Sequence, residues 1–136
     1  MNIIENWDLF WTGLATMLGV GVAGIDVYLG NRVHKVVFGD WNSQTLKSVI
    51  MTHAIHIGLP VFIILLIDAL MIIKPETKAL CVIALTVVLP VYGGVIWGDF
   101  NSLRGNLHLL GDKSFDKIDL SILSKEINHK AKKLED

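Results

Sequence analysis

The chain has 136 residues, of which 52% are apolar and only 18% charged, with 12 Lys and Arg against 13 Asp and Glu. Soluble domains average about 25% charged residues, so this composition and a mean hydropathy of +0.54 exclude a disordered chain and argue against a water-soluble globule. The near-neutral balance leaves no basic field for nucleic acid, and the one cysteine, Cys81, excludes a disulfide framework or a cysteine-built metal cage within one chain.

Residues 9–29 form the first apolar run, broken by a single charge at Asp26. About 20 predominantly apolar residues in a helix cross a bilayer. The preceding residues carry Glu5 and Asp8 but no Lys or Arg, and no small-residue cleavage pattern closes the run, so it reads as a retained span rather than a signal peptide. Ala15, Gly19 and Ala23 recur every four residues along it. That spacing predicts a smooth face for close helix packing, because lipid gives helices no hydrophobic reward for associating.

The loop at 30–48 holds Arg32, Lys35 and Lys47 with Phe38 and Trp41, a composition suited to anionic headgroups. Asn42 or Ser43 is placed to cap the second helix. The second span, 49–73, carries His53, His56 and Asp68. Within it Pro60 lacks an N–H and releases the carbonyl of His56; a kink is the expectation, and a carbonyl-lined polar cavity the alternative. Lys74, Pro75 and Lys78 predict a tight turn and an antiparallel helical hairpin. The third span, 79–97, has no charged residue, and the third helix repeats the small-residue device at Gly94 and Gly98. Its Pro90 releases the carbonyl of Thr86, and Cys81 reads as packing.

Beyond it, Gly105 and Gly111 predict a hinge. From Ser114 onward Phe115, Ile118, Ile122, Ile127, Ala131 and Leu134 approximate one helical face, with a short strand at 118–122 as the alternative. The basic Lys130, Lys132 and Lys133 suit a tail that rests on a membrane or packs with symmetry mates. The expected fold is therefore all-α and integral to a membrane: three transmembrane helices in residues 1–100 and a cytoplasmic amphipathic C-terminal helix in 101–136. Seven of the 12 basic residues follow Phe100, which places the tail and first loop in the cytoplasm, and the N-terminus and Lys74–Lys78 turn outside, in a cell or inner membrane. Trp7, Phe10 and Trp11 mark one interface and Tyr28, Trp97 and Phe100 the other.

This topology brings Asp26, His53, His56 and Asp99 to similar depth. Asp68 lies 12 residues beyond His56, about 18 Å along the helix, so it is expected near the other face with Lys74 or Lys78 as its ion-pair partner. Imidazole and carboxylate are ligands for a divalent transition metal, for which His53, His56 and Asp26 form the candidate set. The same groups, with Asp68 and Asp99, suit a pathway for protons or a cation, or interhelical glue. Haem is disfavoured: two histidines three residues apart on one helix cannot be opposed axial ligands, and no other span contains one. No phosphate loop, nucleophile elbow or His-Glu-x-x-His motif occurs, which leaves catalytic residues unassigned and weighs against an enzyme. The sequence points first to an oligomeric transport or channel component handling protons or a cation. A non-catalytic subunit of a larger membrane complex comes second, and a metal-dependent enzyme third.

Overall fold

The computed structural model describes residues 4, 6–112, 125 and 127–129. Among them the regular structure is helical throughout. Helix α1 spans Leu9–Val33, α2 Ser43–Ile73 and α3 Lys78–Leu109, and each packs on the other two. At 1.5 Å per residue α2 and α3 are about 45 Å long, well beyond the roughly 30 Å of a bilayer's apolar core. All three are long and apolar enough to cross a membrane.

The helix ends follow from local chemistry. The Asp8 carboxylate caps α1 by accepting from the N–H groups of Phe10 and Trp11 at 3.0 and 3.3 Å. At its other end α1 widens into a π-helical turn, His34–Phe38, stopped by Gly39 at φ 70, where a side chain would be strained. Asn42 caps α2 by accepting from the N–H of Gln44 at 2.8 Å, as expected from its position before the second apolar run. A single 3-10 turn, Pro75–Thr77, joins α2 to α3. Both α2 and α3 run unbroken through Pro60 and Pro90.

The third helix departs from the sequence expectation. It does not stop near residue 97 or hinge at Gly105, but continues to Leu109, with Gly105 buried inside it. The bend falls at Gly111, whose φ of 92 only glycine takes readily. Hydropathy marks where the apolar side chains end. The helix itself continues with its polar residues buried: Asn106 reaches Asp26 of α1, and Arg104 and Asn101 bond each other along α3. The expected amphipathic helix of the tail lies mostly outside the described residues; of its face, only Ile127 is described.

One stripe on each helix turns inward. On α1 it is Thr12, Gly19, Ala23, Asp26, Leu29 and Val33. On α2 it is Ile57, Ile64, Ile67 and Asp68. On α3, Cys81, Leu85, Tyr92, Asp99, Leu103 and Asn106 follow at steps of three, four or seven, and Asn101, Arg104 and Gly105 are buried beside them near its end. Within an apolar 18-residue stretch of each span only 17–22% of the residues are buried, and the outward faces are apolar, with Met17, Leu80 and Ile73 each at least 70% exposed. A soluble protein would present polar residues there.

The stripe of small residues works through an aromatic ring. Tyr92 lies across Gly19, where a Cβ would fall 2.0 Å from its hydroxyl oxygen, and that hydroxyl donates to the carbonyl of Ala15 at 2.9 Å. Gly94 and Gly98 do not join this contact. Both are exposed, with nothing near the place of a Cβ, so they leave a smooth outer face on α3.

Candidate functional site

The polar groups on these stripes gather in two places, separated by a core of Ala23, Ile57, Ile64, Leu85 and Tyr92. The first gathering lies toward the loop between α1 and α2. Asp26 of α1, His53 of α2 and Asp99 of α3 meet there, each supplied by a different helix. The Nε2 of His53 stands 3.5 Å from Oδ2 of Asp26, and its Nδ1 stands 3.2 Å from Oδ1 of Asp99. The second of these approaches is close but not aligned as a hydrogen bond, and neither Nδ1 of His53 nor Oδ2 of Asp99 has a hydrogen-bond partner. The two carboxylates are 5% and 8% exposed, so they are withdrawn from bulk water.

Asn106, one stripe position beyond Leu103, fixes Asp26. Its Nδ2 donates to Asp26 Oδ1 at 2.7 Å and approaches the Asp26 carbonyl at 3.4 Å. Arg104 is 1% exposed and donates from Nη1 to Asn101 Oδ1 at 3.0 Å. None of these three α3 residues stands out in the sequence, where they fall beyond the last apolar run. Asn106→Ala is expected to destabilise the bundle by about 1.5 kcal/mol, the lower end for a hydrogen bond to a charged group. Detergent-solubilised unfolding followed by circular dichroism measures it; an unchanged midpoint would count against the contact.

A pocket of about 280 Å³ reaches this cluster from the loop side. Asp26, His53 and Asn106 form its more buried wall, and His34, Asp40 and Trp41 its exposed rim. The rim is internally tied: His34 Nδ1 meets Asp40 Oδ1 at 2.8 Å, Trp41 Nε1 donates to Asn31 Oδ1, and the Lys35 ammonium sits 4.7 Å from the Trp41 ring centre. His129, among the few described residues of the tail, also lines the pocket.

His56 is not brought into the cluster. The rotation of α2 turns His53 inward and leaves His56, about 60° further round the helix, exposed; the set of His53, His56 and Asp26 does not converge. Asp99 stands in its place. Asp68 is likewise separate, but the expected ion pair with Lys74 or Lys78 does not form. Asp68 turns inward at 2% exposure, and its Oδ2 accepts from the hydroxyl of Thr12 at 2.5 Å. That hydroxyl oxygen accepts in turn from Trp7 Nε1 at 2.8 Å. The stripe position of Asp68, beside Ile64 and Ile67, directs it to α1 rather than to the turn.

The chain matches no family model, no curated protein and no solved structure.

Asp26 and His53 stand at the buried end of the pocket, with Asp99 against His53.

Proposed function

We propose that this chain is a small polytopic membrane protein, a component of an oligomeric cation-transport system, with the Asp26/His53/Asp99 cluster as its cation-handling site. The observation that carries this reading is the convergence of Asp26, His53 and Asp99 from three helices, with Asp26 and His53 on the buried wall of one pocket. Intramembrane ionisable groups of this kind are expensive, and they commonly mark pathways for ions. The basic loop and tail favour the orientation in which the pocket opens to the cytoplasm and the N-terminus faces outside. The apolar packing of Ile57, Tyr92 and Ala23 closes the far side, so loading and release belong to two conformations. The open glycine face at Gly94 and Gly98 supports assembly with further copies.

Reconstituted vesicles with an entrapped ion-sensitive dye test the reading. Cation flux above that of protein-free vesicles is expected, and Asp99→Asn is expected to abolish it. Wild-type vesicles no leakier than empty ones would overturn it and favour a non-catalytic subunit of a larger membrane complex, for which the same glycine face is the docking surface.

A further inference from the structure

We propose that Asp26, His53 and Asp99 bind a single divalent transition-metal ion. This rests on the cation reading of the same cluster and names the cation.

One oxygen from each carboxylate and one imidazole nitrogen lie within 4.8 Å of one another. Donors bound to one zinc-sized ion at about 2.0–2.2 Å can be no more than about 4.4 Å apart, so the spacing needs only a few tenths of an ångström of closure. His53 Nδ1 stands 3.2 Å from Asp99 Oδ1, inside that limit, while the 3.5 Å approach to Asp26 is made by the opposite ring nitrogen, Nε2. Structural glue would satisfy its own polar atoms. Here a buried oxygen of Asp99 and a buried nitrogen of His53 are left without hydrogen bonds, although a buried polar atom without a partner is costly.

The surroundings match what a metal site requires. Asn106 holds Oδ1 of Asp26 and leaves Oδ2 toward His53, the orienting role that outer hydrogen bonds play around metal ligands. The ligands come from three helices, so their spacing is set by the packed core rather than by a loop. Three protein ligands leave a further coordination position on the pocket side, the arrangement of exchangeable rather than permanently closed sites. The chemistry of the donors narrows the ion. An imidazole disfavours Mg²⁺ and Ca²⁺, which prefer all-oxygen shells, and the lack of thiolate or thioether disfavours Cu⁺. Zn²⁺, Mn²⁺, Fe²⁺, Co²⁺ and Ni²⁺ remain.

Co²⁺ is the probe, because its visible absorption reports nitrogen and oxygen ligation directly. The full chain, purified in mild detergent and stripped with a chelator, is expected to take up one equivalent of Co²⁺ and to release it to Zn²⁺. Asp99→Asn and His53→Gln are each expected to weaken uptake by more than about 100-fold, the upper cost of losing a group that merely orients a ligand, with helical circular dichroism confirming that the variants fold. His56→Ala, which alters an exposed side chain outside the cluster, is expected to leave affinity unchanged. Wild-type protein that takes up no Co²⁺ at millimolar concentration would overturn the proposal, as would uptake that survives both substitutions. Vesicle flux separates the two proposals: flux without transition-metal binding sinks the metal and keeps transport, and binding without flux does the opposite.

Discussion

Gly19→Ala is expected to lower the stability of the bundle by about 2 kcal/mol, although alanine is the better helix former. In an exposed helix the exchange gains about 1 kcal/mol. Here the added Cβ would lie 2.0 Å from the Tyr92 hydroxyl oxygen and 2.9 Å from Cζ, with Ile57 Cδ1 at 3.4 Å on another side. Moving the hydroxyl alone does not relieve the contact, because the ring carbon clashes too. Tyr92 must shift as a body, and its hydrogen bond to the Ala15 carbonyl goes with it. Overpacking costs about 1–3 kcal/mol and the hydrogen bond about 1 kcal/mol more, which together outweigh the gain in propensity. Gly21, with open space around its Cβ position, provides the control: Gly21→Ala is expected to be neutral or stabilising. Denaturant midpoints in detergent, followed by circular dichroism, measure both. A double variant with Tyr92→Ala is expected to remove most of the penalty at Gly19. Equal effects at Gly19 and Gly21 would show that the close approach of α1 and α3 is absent.

That contact also illustrates what the sequence makes legible. Spacing alone singles out Ala15, Gly19 and Ala23 as a packing face, because small residues are the main apolar signal of helix contact in lipid. Spacing does not reveal the partner, a tyrosine rather than the glycines of the third span. In water, amphipathicity would show which face of each helix turns inward. In these helices the buried Ile57 and Ile64 and the exposed Ile55, Leu59 and Phe62 are chemically alike, so hydrophobicity cannot choose between them. The gathering of Asp26, His53 and Asp99 follows from sidedness and is within reach of the sequence. The exclusion of His56 depends on the rotation of α2 and is not. Asn101, Arg104 and Asn106 are hidden for another reason: their polarity ends the apolar run, so a continuing helix reads as a tail.

Thr12→Val carries the other large effect, because one hydroxyl serves two partners, the buried Asp68 and the half-buried Trp7. The Thr12 hydroxyl donates to Asp68 Oδ2 and accepts from Trp7 Nε1, while Oδ1 of Asp68 has no hydrogen-bond partner. Valine keeps the shape but leaves both Asp68 oxygens and the Trp7 indole unsatisfied. A single interhelical hydrogen bond in lipid contributes about 0.6 kcal/mol on average and about 1.7 at most, since the separated helices find other partners. Two lost hydrogen bonds, one at a buried carboxylate and one at the indole, place this variant at or above that upper figure, at about 2 kcal/mol. Thr12→Ser retains the hydroxyl and is expected to recover most of the loss. Asp68→Leu in the Thr12→Val background removes the stranded carboxylate and is expected to restore stability toward that of the wild-type protein. The same unfolding measurement decides the matter, with Trp7 fluorescence as a local reporter that shifts when its indole partner is lost. If Thr12→Val unfolds like the wild-type chain, Asp68 must satisfy itself elsewhere, and the junction of α1 with α2 at this end is looser than its distances indicate.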